Sequence, residues 1–334
     1  MSVGTRLLSP EEIAVRAGEQ VTLLRLPEPG LFAERELRLR QLAAGHAMRD
    51  YLLFCAELAR GQHELLQVPA TPALPTPAQI EAAANAGRPL LDAQRWPRDP
   101  AWRGDLRALL QGLAARVPPG PARDTALRLA AVFDEHLELQ AERLLSGVML
   151  GLDLGTAPLI GAALQLHWAR LIAGVQARHG TDPLAPFGRI DDPLVCPCCG
   201  SRPSASITRI GAEGSGFRYL ACSLCATQWH YVRIKCAHCQ GTKGISFQAL
   251  QALDGQGQAD EAAVQVECCE TCGHYLKIVH MEKDHQVEPL ADDLASLTLD
   301  LLVAETGLQR HGVNLLLLFG DPDAAAPPDP GGGR

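Results

Sequence analysis

From residue 9 to about residue 180, apolar positions recur three and four apart, the spacing of helices with one buried face. Glu34–Arg60 sets Leu37, Leu42, Leu52 and Leu58 among charged residues and predicts one long amphipathic helix. Trp102–Arg116, Ala122–Met149 and Thr156–Arg178 predict three more. Inside the last, LIGAALQLHWARLIAGV is apolar almost all round, which places it at the centre of a helical core. Two helix starts are marked by capping boxes. SPEE offers Ser9 as cap, Pro10 in the first turn and Glu12 reaching back, and TPAQ offers Thr76, Pro77 and Gln79. VPATPALPTP is a proline-rich connector.

The pattern changes at TDPLAPFGRIDDPLV, residues 181–195, where prolines and a glycine end the helical spacing. Beyond it lie short β-type runs: SASITRI, FRYLAC, TQWHYVRI and YLKIVHME. Helical spacing returns with Leu290, Leu294, Leu297 and Leu301, and Gly307 suits the C-terminal cap. The fold expected is therefore multidomain α and β. A helical domain covers residues 1–185, two small four-cysteine modules of zinc-ribbon type cover 186–235 and 236–288, and a C-terminal helix covers 289–310. The low-complexity tail of 320–334 is expected to be disordered.

The 334 residues carry a net charge of -8, which argues against a surface devoted to nucleic acid. There is no run of signal-peptide length at the start and no stretch near the ~20 apolar residues of a membrane span. The run VNLLLLFG near residue 316 is too short. A cytoplasmic protein without a membrane segment is expected. Of 11 cysteines, Cys55 stands alone and reads as a small buried apolar side chain. The other ten fall between Cys196 and Cys272, and an odd total points to metal binding or thiol chemistry, not a disulfide framework.

Four CxxC pairs carry the chemistry: Cys196/Cys199, Cys222/Cys225, Cys236/Cys239 and Cys269/Cys272. Cysteines three apart on a tight turn aim two thiolates at one ion, and two such knuckles close a tetrahedral site. Gly200 and Gly273 follow their knuckles directly, and Gly241 lies one residue further on; glycine there permits positive φ. The intervals of 22 and 29 residues between knuckles fit hairpins lengthened by the turns GAEGSG and LDGQGQADEA. Sequential pairing is expected, although the ten-residue spacer between Cys225 and Cys236 also permits joining knuckle one to knuckle three. Tetrahedral sulfur suits zinc or a single iron, and a closed site has no open position for a substrate. Dithiol redox catalysis is the rival chemistry. It wants a strand before the motif and a helix beneath it, and short β runs and turns flank these pairs instead.

Residues 196–243 hold Arg202, Arg209, Arg218, Arg233, Lys235 and Lys243 against Glu213 alone, a balance of +5. Residues 244–305 balance at -10. The basic half suits either nucleic acid or compensation for thiolate charge, and the acidic half beside it favours compensation. Trp229, His230 and Tyr231 read equally well as a contact patch or as packing between the modules. His238, inside CAHC, is an alternative ligand, but four cysteines already complete that set. His46, His136 and His167 read as structural or surface residues.

The run from CPCCGSRPSASI through GFRYLACSLCATQWHYVRIKCAHC to VECCETCGHYLKIVHMEKDHQVEPLADDLASLTLDLL resembles the formate dehydrogenase accessory proteins of the FdhE type, over about residues 194–302. GTAPLIGAALQLHW extends the likeness into the helical half. The resemblance implies two rubredoxin-like modules and a cytoplasmic, non-enzymatic maturation factor. It implies a partner, the molybdenum-containing catalytic subunit of respiratory formate dehydrogenase, bound before export. It also favours iron in the two sites, with zinc equally compatible with the spacing. The family's knuckles carry over to Cys196, Cys199, Cys222, Cys225, Cys236, Cys239, Cys269 and Cys272. Cys198 and Cys268 depart from its pattern.

Overall fold

The computed structural model describes residues 22–179, 186–188, 190–210, 216–250 and 261–318. The SPEE start, most of the GAEGSG and LDGQGQADEA turns and the tail of 320–334 lie outside the described residues. The helical half contains α1 (Leu31–Leu42), α2 (Arg49–Leu66), α3 (Pro77–Asn85), α4 (Ala101–Arg116), α5 (Pro121–Ala130), α6 (Asp134–Ser146) and α7 (Ala157–His179). The TPAQ capping box starts α3: Gln79 N–H donates to Thr76 Oγ1 at 3.3 Å, and Thr76 N–H donates to Gln79 Oε1 at 2.9 Å. Every residue of α7 from Ala157 to Ala169 is buried, as its all-round apolar character requires.

Two expected helices are broken. Glu34–Arg60 divides into α1 and α2 around Gly45, which takes φ +70, a conformation a helix does not use. The apolar spacing runs on because both arms bury one face, while Leu37 stays exposed. Ala122–Met149 divides into α5 and α6, with Phe133 between them at 81% exposure and Asp134 and Glu135 favouring a fresh N-terminus.

The strands are β1 (Leu24–Arg25), β2 (Pro203–Arg209), β3 (Phe217–Cys222), β4 (Gln228–His230), β5 (Ile245–Gln248), β6 (Val264–Cys269), β7 (His274–His280) and β8 (Gln309–Arg310). They form one sheet, in the order β1-β4-β3-β2-β7-β6-β5, with β8 also on β7. The two halves thus share a sheet. The seam is the parallel pairing of β2 with β7, Ser206 opposite Ile278. Beside it, buried Arg218 of β3 meets buried Glu267 of β6 at 2.9 Å. Arg218 also donates to the Lys235 carbonyl at 3.0 Å, just before the third knuckle. This cation of the basic half therefore serves the acidic half and the backbone, not the sulfurs.

The expected C-terminal helix is also two helices, α8 (Pro289–Ala295) and α9 (Leu297–Ala304), with Ser296 between them. Lys277, buried on β7, reaches into the break. Its ammonium donates to Ser296 Oγ at 3.1 Å and pairs with Asp300 at 2.6 Å and Asp293 at 3.1 Å. The break turns the apolar face, so Leu299 and Val303 are buried and Leu301 is exposed. Helix α8 docks on α1 through Arg35–Glu288 at 3.0 Å and Arg38–Asp292 at 2.6 Å. The run near residue 316 then returns to the helical core: Leu315 and Leu316 are buried, Leu315 sits against Gly161, and the Tyr51 hydroxyl donates to the Leu316 carbonyl.

Candidate metal centres

All four knuckles share one turn. In three of them the residue after the second cysteine donates its N–H to the first cysteine's carbonyl: Gly200 to Cys196 at 2.8 Å, Gln240 to Cys236 at 3.0 Å and Gly273 to Cys269 at 2.9 Å. That residue has positive φ every time: +74 at Gly200, +58 at Ala226, +61 at Gln240 and +69 at Gly273. Gly241 is not the residue that turns; Gln240 is. A side chain in this region costs about 1–2 kcal/mol, so Ala226 and Gln240 are held there by what the turn positions. Free N–H groups of the turns then face sulfur. Leu224 and Cys225 donate to Cys222 Sγ, His238 to Cys236 Sγ and Gly241 to Cys239 Sγ, each at 3.4 Å.

The knuckles pair sequentially. Cys196, Cys199, Cys222 and Cys225 form one group and Cys236, Cys239, Cys269 and Cys272 another, with the donor atoms of each within 4.8 Å of one another. In the first set the sulfurs of Cys196 and Cys225 lie 3.5 Å apart, and those of Cys199 and Cys222 3.4 Å. In the second set Cys236–Cys272 and Cys239–Cys269 are each 3.8 Å apart. A disulfide needs about 2.05 Å. A tetrahedral ion with metal–sulfur bonds of about 2.3 Å needs sulfurs about 3.8 Å apart. The donor set and its spacing therefore fit a closed four-thiolate metal site, most closely in the second set.

Electrostatics point the same way. Burial pushes Cys196, Cys222 and Cys225 up, well beyond the ordinary thiol range for Cys196 and Cys225. Burial raises Cys199 too, but hydrogen bonds from Cys196, Cys222 and Cys225 hold it well below. The second set repeats this. Burial raises Cys236 and Cys272, whereas Cys269, opposed by burial, is held low by the Cys272 N–H and its neighbouring thiols. Four thiolates packed this closely require a cation among them.

The first set is sealed by the helical half. Leu91 N–H donates to the Cys198 carbonyl at 2.9 Å and Ala93 N–H to the Cys199 carbonyl at 2.8 Å. Gln165 of α7 donates to the Ser223 carbonyl at 2.8 Å, and the Trp168 indole to the Leu91 carbonyl at 2.9 Å. Cys198 is buried in this packing, outside the four-sulfur group, and is not an exposed thiol. Cys268 is likewise buried, against Val266, Tyr275, Leu299 and Val303. The second set is open: Cys239 is exposed and Cys272 half-buried. Between the sets, the WHY residues pack. Trp229 and Tyr231 are buried, the indole donating to the Pro193 carbonyl at 3.0 Å and the phenol to the Cys236 carbonyl at 2.9 Å. One aromatic thus braces the approach to the first knuckle and the other the third.

The lone histidines stay apart from both sets. His46 Nε2 is 2.8 Å from the Ala295 carbonyl oxygen, His136 is exposed, and burial holds His167 down at about 4. Cys55 is buried, its thiol pushed up to about 12 by burial. Sequence reasoning missed the segment around Leu91 that seals the first set, which carries no motif. It also missed His274 and His311, which stand beside His238.

A helical region joined through one sheet to two four-cysteine groups defines a protein built around two candidate metal centres. Three family models match along the chain: FdhE, N-terminal, over residues 21–183; FdhE, central domain, over 195–233; and FdhE, C-terminal domain, over 234–317. A protein FdhE homolog of Pseudomonas aeruginosa is 40% identical, aligned over 89% of this chain and 93% of its own length. Protein FdhE of Salmonella arizonae is 34% identical, over 92% and 94%. The crystal structure of the FdhE protein from Pseudomonas aeruginosa superposes with a TM-score of 0.79 at 37% identity, covering 90% of this chain and all of that one. The chain belongs to the FdhE family, the formate dehydrogenase accessory proteins. Among the described residues no helix is long and apolar enough to cross a membrane.

Proposed function

We propose that this protein is a cytoplasmic, non-enzymatic maturation factor that binds the catalytic subunit of respiratory formate dehydrogenase before export. The eight knuckle cysteines hold two metal ions, Cys196, Cys199, Cys222 and Cys225 one and Cys236, Cys239, Cys269 and Cys272 the other. The observation that carries this reading is the pairing of family membership with four-sulfur groups complete in themselves. Four thiolates fill a tetrahedral ion, so neither site offers a coordination position for turnover. The metal's work is then architectural or redox, and rubredoxin-like iron adds the capacity to exchange one electron. The domain boundaries proposed from sequence, a helical half to residue 185 and modules meeting at 235/236, serve this reading as a helical platform and a metal-stapled sheet. The test is co-purification with a formate dehydrogenase catalytic subunit when both are abundant. Stable association is expected, and a clean negative would remove the partner assignment.

A further inference from the structure

Beside the open second set lies a group of imidazoles. His238, inside the third knuckle, stacks on His274, just after the fourth, with ring centres 3.7 Å apart and planes 11° apart. His238, Cys272 and His274 each bring a donor atom within 4.8 Å of the other two. His274 Nδ1 lies 2.8 Å from the Cys272 carbonyl oxygen, so Nδ1 carries the proton and Nε2 keeps its lone pair. His238 Nδ1 is buried without a hydrogen-bond partner among the described residues. Behind them His311, only 8% exposed, meets His238 edge-on at 5.0 Å, and its Nε2 also has no partner there. The three rings line a cavity of about 10 Å³, room for one water-sized ligand. The carboxylate there, Glu267, is engaged by Arg218.

An orphaned imidazole nitrogen, His238 Nδ1, beside the His274 lone pair and a thiolate is a costly arrangement unless something ligates it. Imidazole with thiolate selects a borderline transition-metal ion such as zinc and disfavours magnesium and calcium. We propose that His238, His274 and the Cys272 thiolate form a third metal station for a zinc-class divalent ion, sharing Cys272 with the second four-cysteine set. This rests on the reading that the second set holds an ion. Stacked rings aim their lone pairs in parallel, so His238 must turn about its Cβ–Cγ bond to close on the ion. His238 is half-buried, and the turn breaks its stack on His274 and its edge contact with His311. Unstacking and a shared thiolate make the station weaker than either four-sulfur set. Its place on the open side, at Cys272, makes it the position an ion occupies on its way into or out of the second set.

The experiment is equilibrium dialysis of the full chain against buffered, low-micromolar free zinc, with His238→Gln and His274→Gln in parallel. His238→Gln keeps the backbone N–H bond to Cys236 Sγ, and the second variant preserves the test if the first fails to fold. Three zinc ions on the wild-type chain and two on each folded variant are expected. Two on the wild type would overturn the station while leaving the four-cysteine reading intact. Three on the variants, or fewer than two, would also overturn it as a separate site. Fewer than two on the wild type would overturn the four-cysteine reading and the station with it.

Discussion

In the first cysteine set every sulfur is buried, and the carbonyls of its knuckles accept hydrogen bonds from Leu91, Ala93 and Gln165 of the helical half. In the second, the same turns and the same spacing leave Cys239 exposed and Cys272 half-buried. The knuckle chemistry is repeated; the housing is not. An ion in the first set fixes the turns whose carbonyls the helical half hydrogen-bonds, whereas one in the second staples mainly its own hairpins. The two sites should therefore differ in their contribution to stability and in exchange, even with identical donors.

The largest effect should come from breaking the buried set. Because a metal's binding free energy is folding free energy, Cys199→Ser should lose one ion per chain and lower the melting midpoint by about 10 °C or more. Cys272→Ser should lose the second set's ion, together with the weaker station that shares this thiolate, with less than half that fall, measured by metal analysis and thermal melts side by side. Equal falls would erase the distinction between the sets.

Next is the seam that couples them. Arg218→Met leaves the Glu267 carboxylate buried and unpaired, and should cost about 3–5 kcal/mol in denaturant titration. Adding Glu267→Leu should restore much of that loss. If the double variant is no better than the single, Arg218 works through the Lys235 carbonyl and not through the ion pair.

The smallest effect concerns the turns. Ala226→Gly and Gln240→Gly remove a left-handed side chain from the first and second set respectively. Each should stabilise the folded protein by up to about 1 kcal/mol, offset in part by the added freedom of glycine when unfolded. Destabilisation at Ala226 alone would mean that its methyl packs where the Gln240 side chain does not.

The knuckles were legible because their geometry is local: CxxC sets the turn, and sulfur spacing needs no distant partner to be recognised. The extent of the sheet was not. Strand β6 begins at Val264, and its run VQVECC merges with a knuckle; the β2–β7 pairing joins Ser206 to Ile278 without a connecting turn to announce it. Helix breaks at Gly45 and Ser296 were hidden because apolar spacing continues on both sides. The ADDLASL run was visible as a pattern but not as chemistry. Asp292 and Asp293 are buried acids whose cations, Arg38 on the one hand and Lys277 and Arg310 on the other, come from elsewhere in the chain. Cys198 shows the converse limit: it looks like part of a reactive cluster, and packing against the segment around Leu91 removes it from solvent.

The most direct measurement is ion release from desalted, fully loaded protein into excess chelator. Desalting strips the weaker histidine station, and the two remaining ions per chain, one from each four-cysteine set, are predicted to leave in two phases separated by about tenfold or more in rate. The fast phase should vanish in Cys272→Ser and the slow phase in Cys199→Ser. A single phase for both ions, or fewer than two ions at the start, would contradict unequal housing of two like sites.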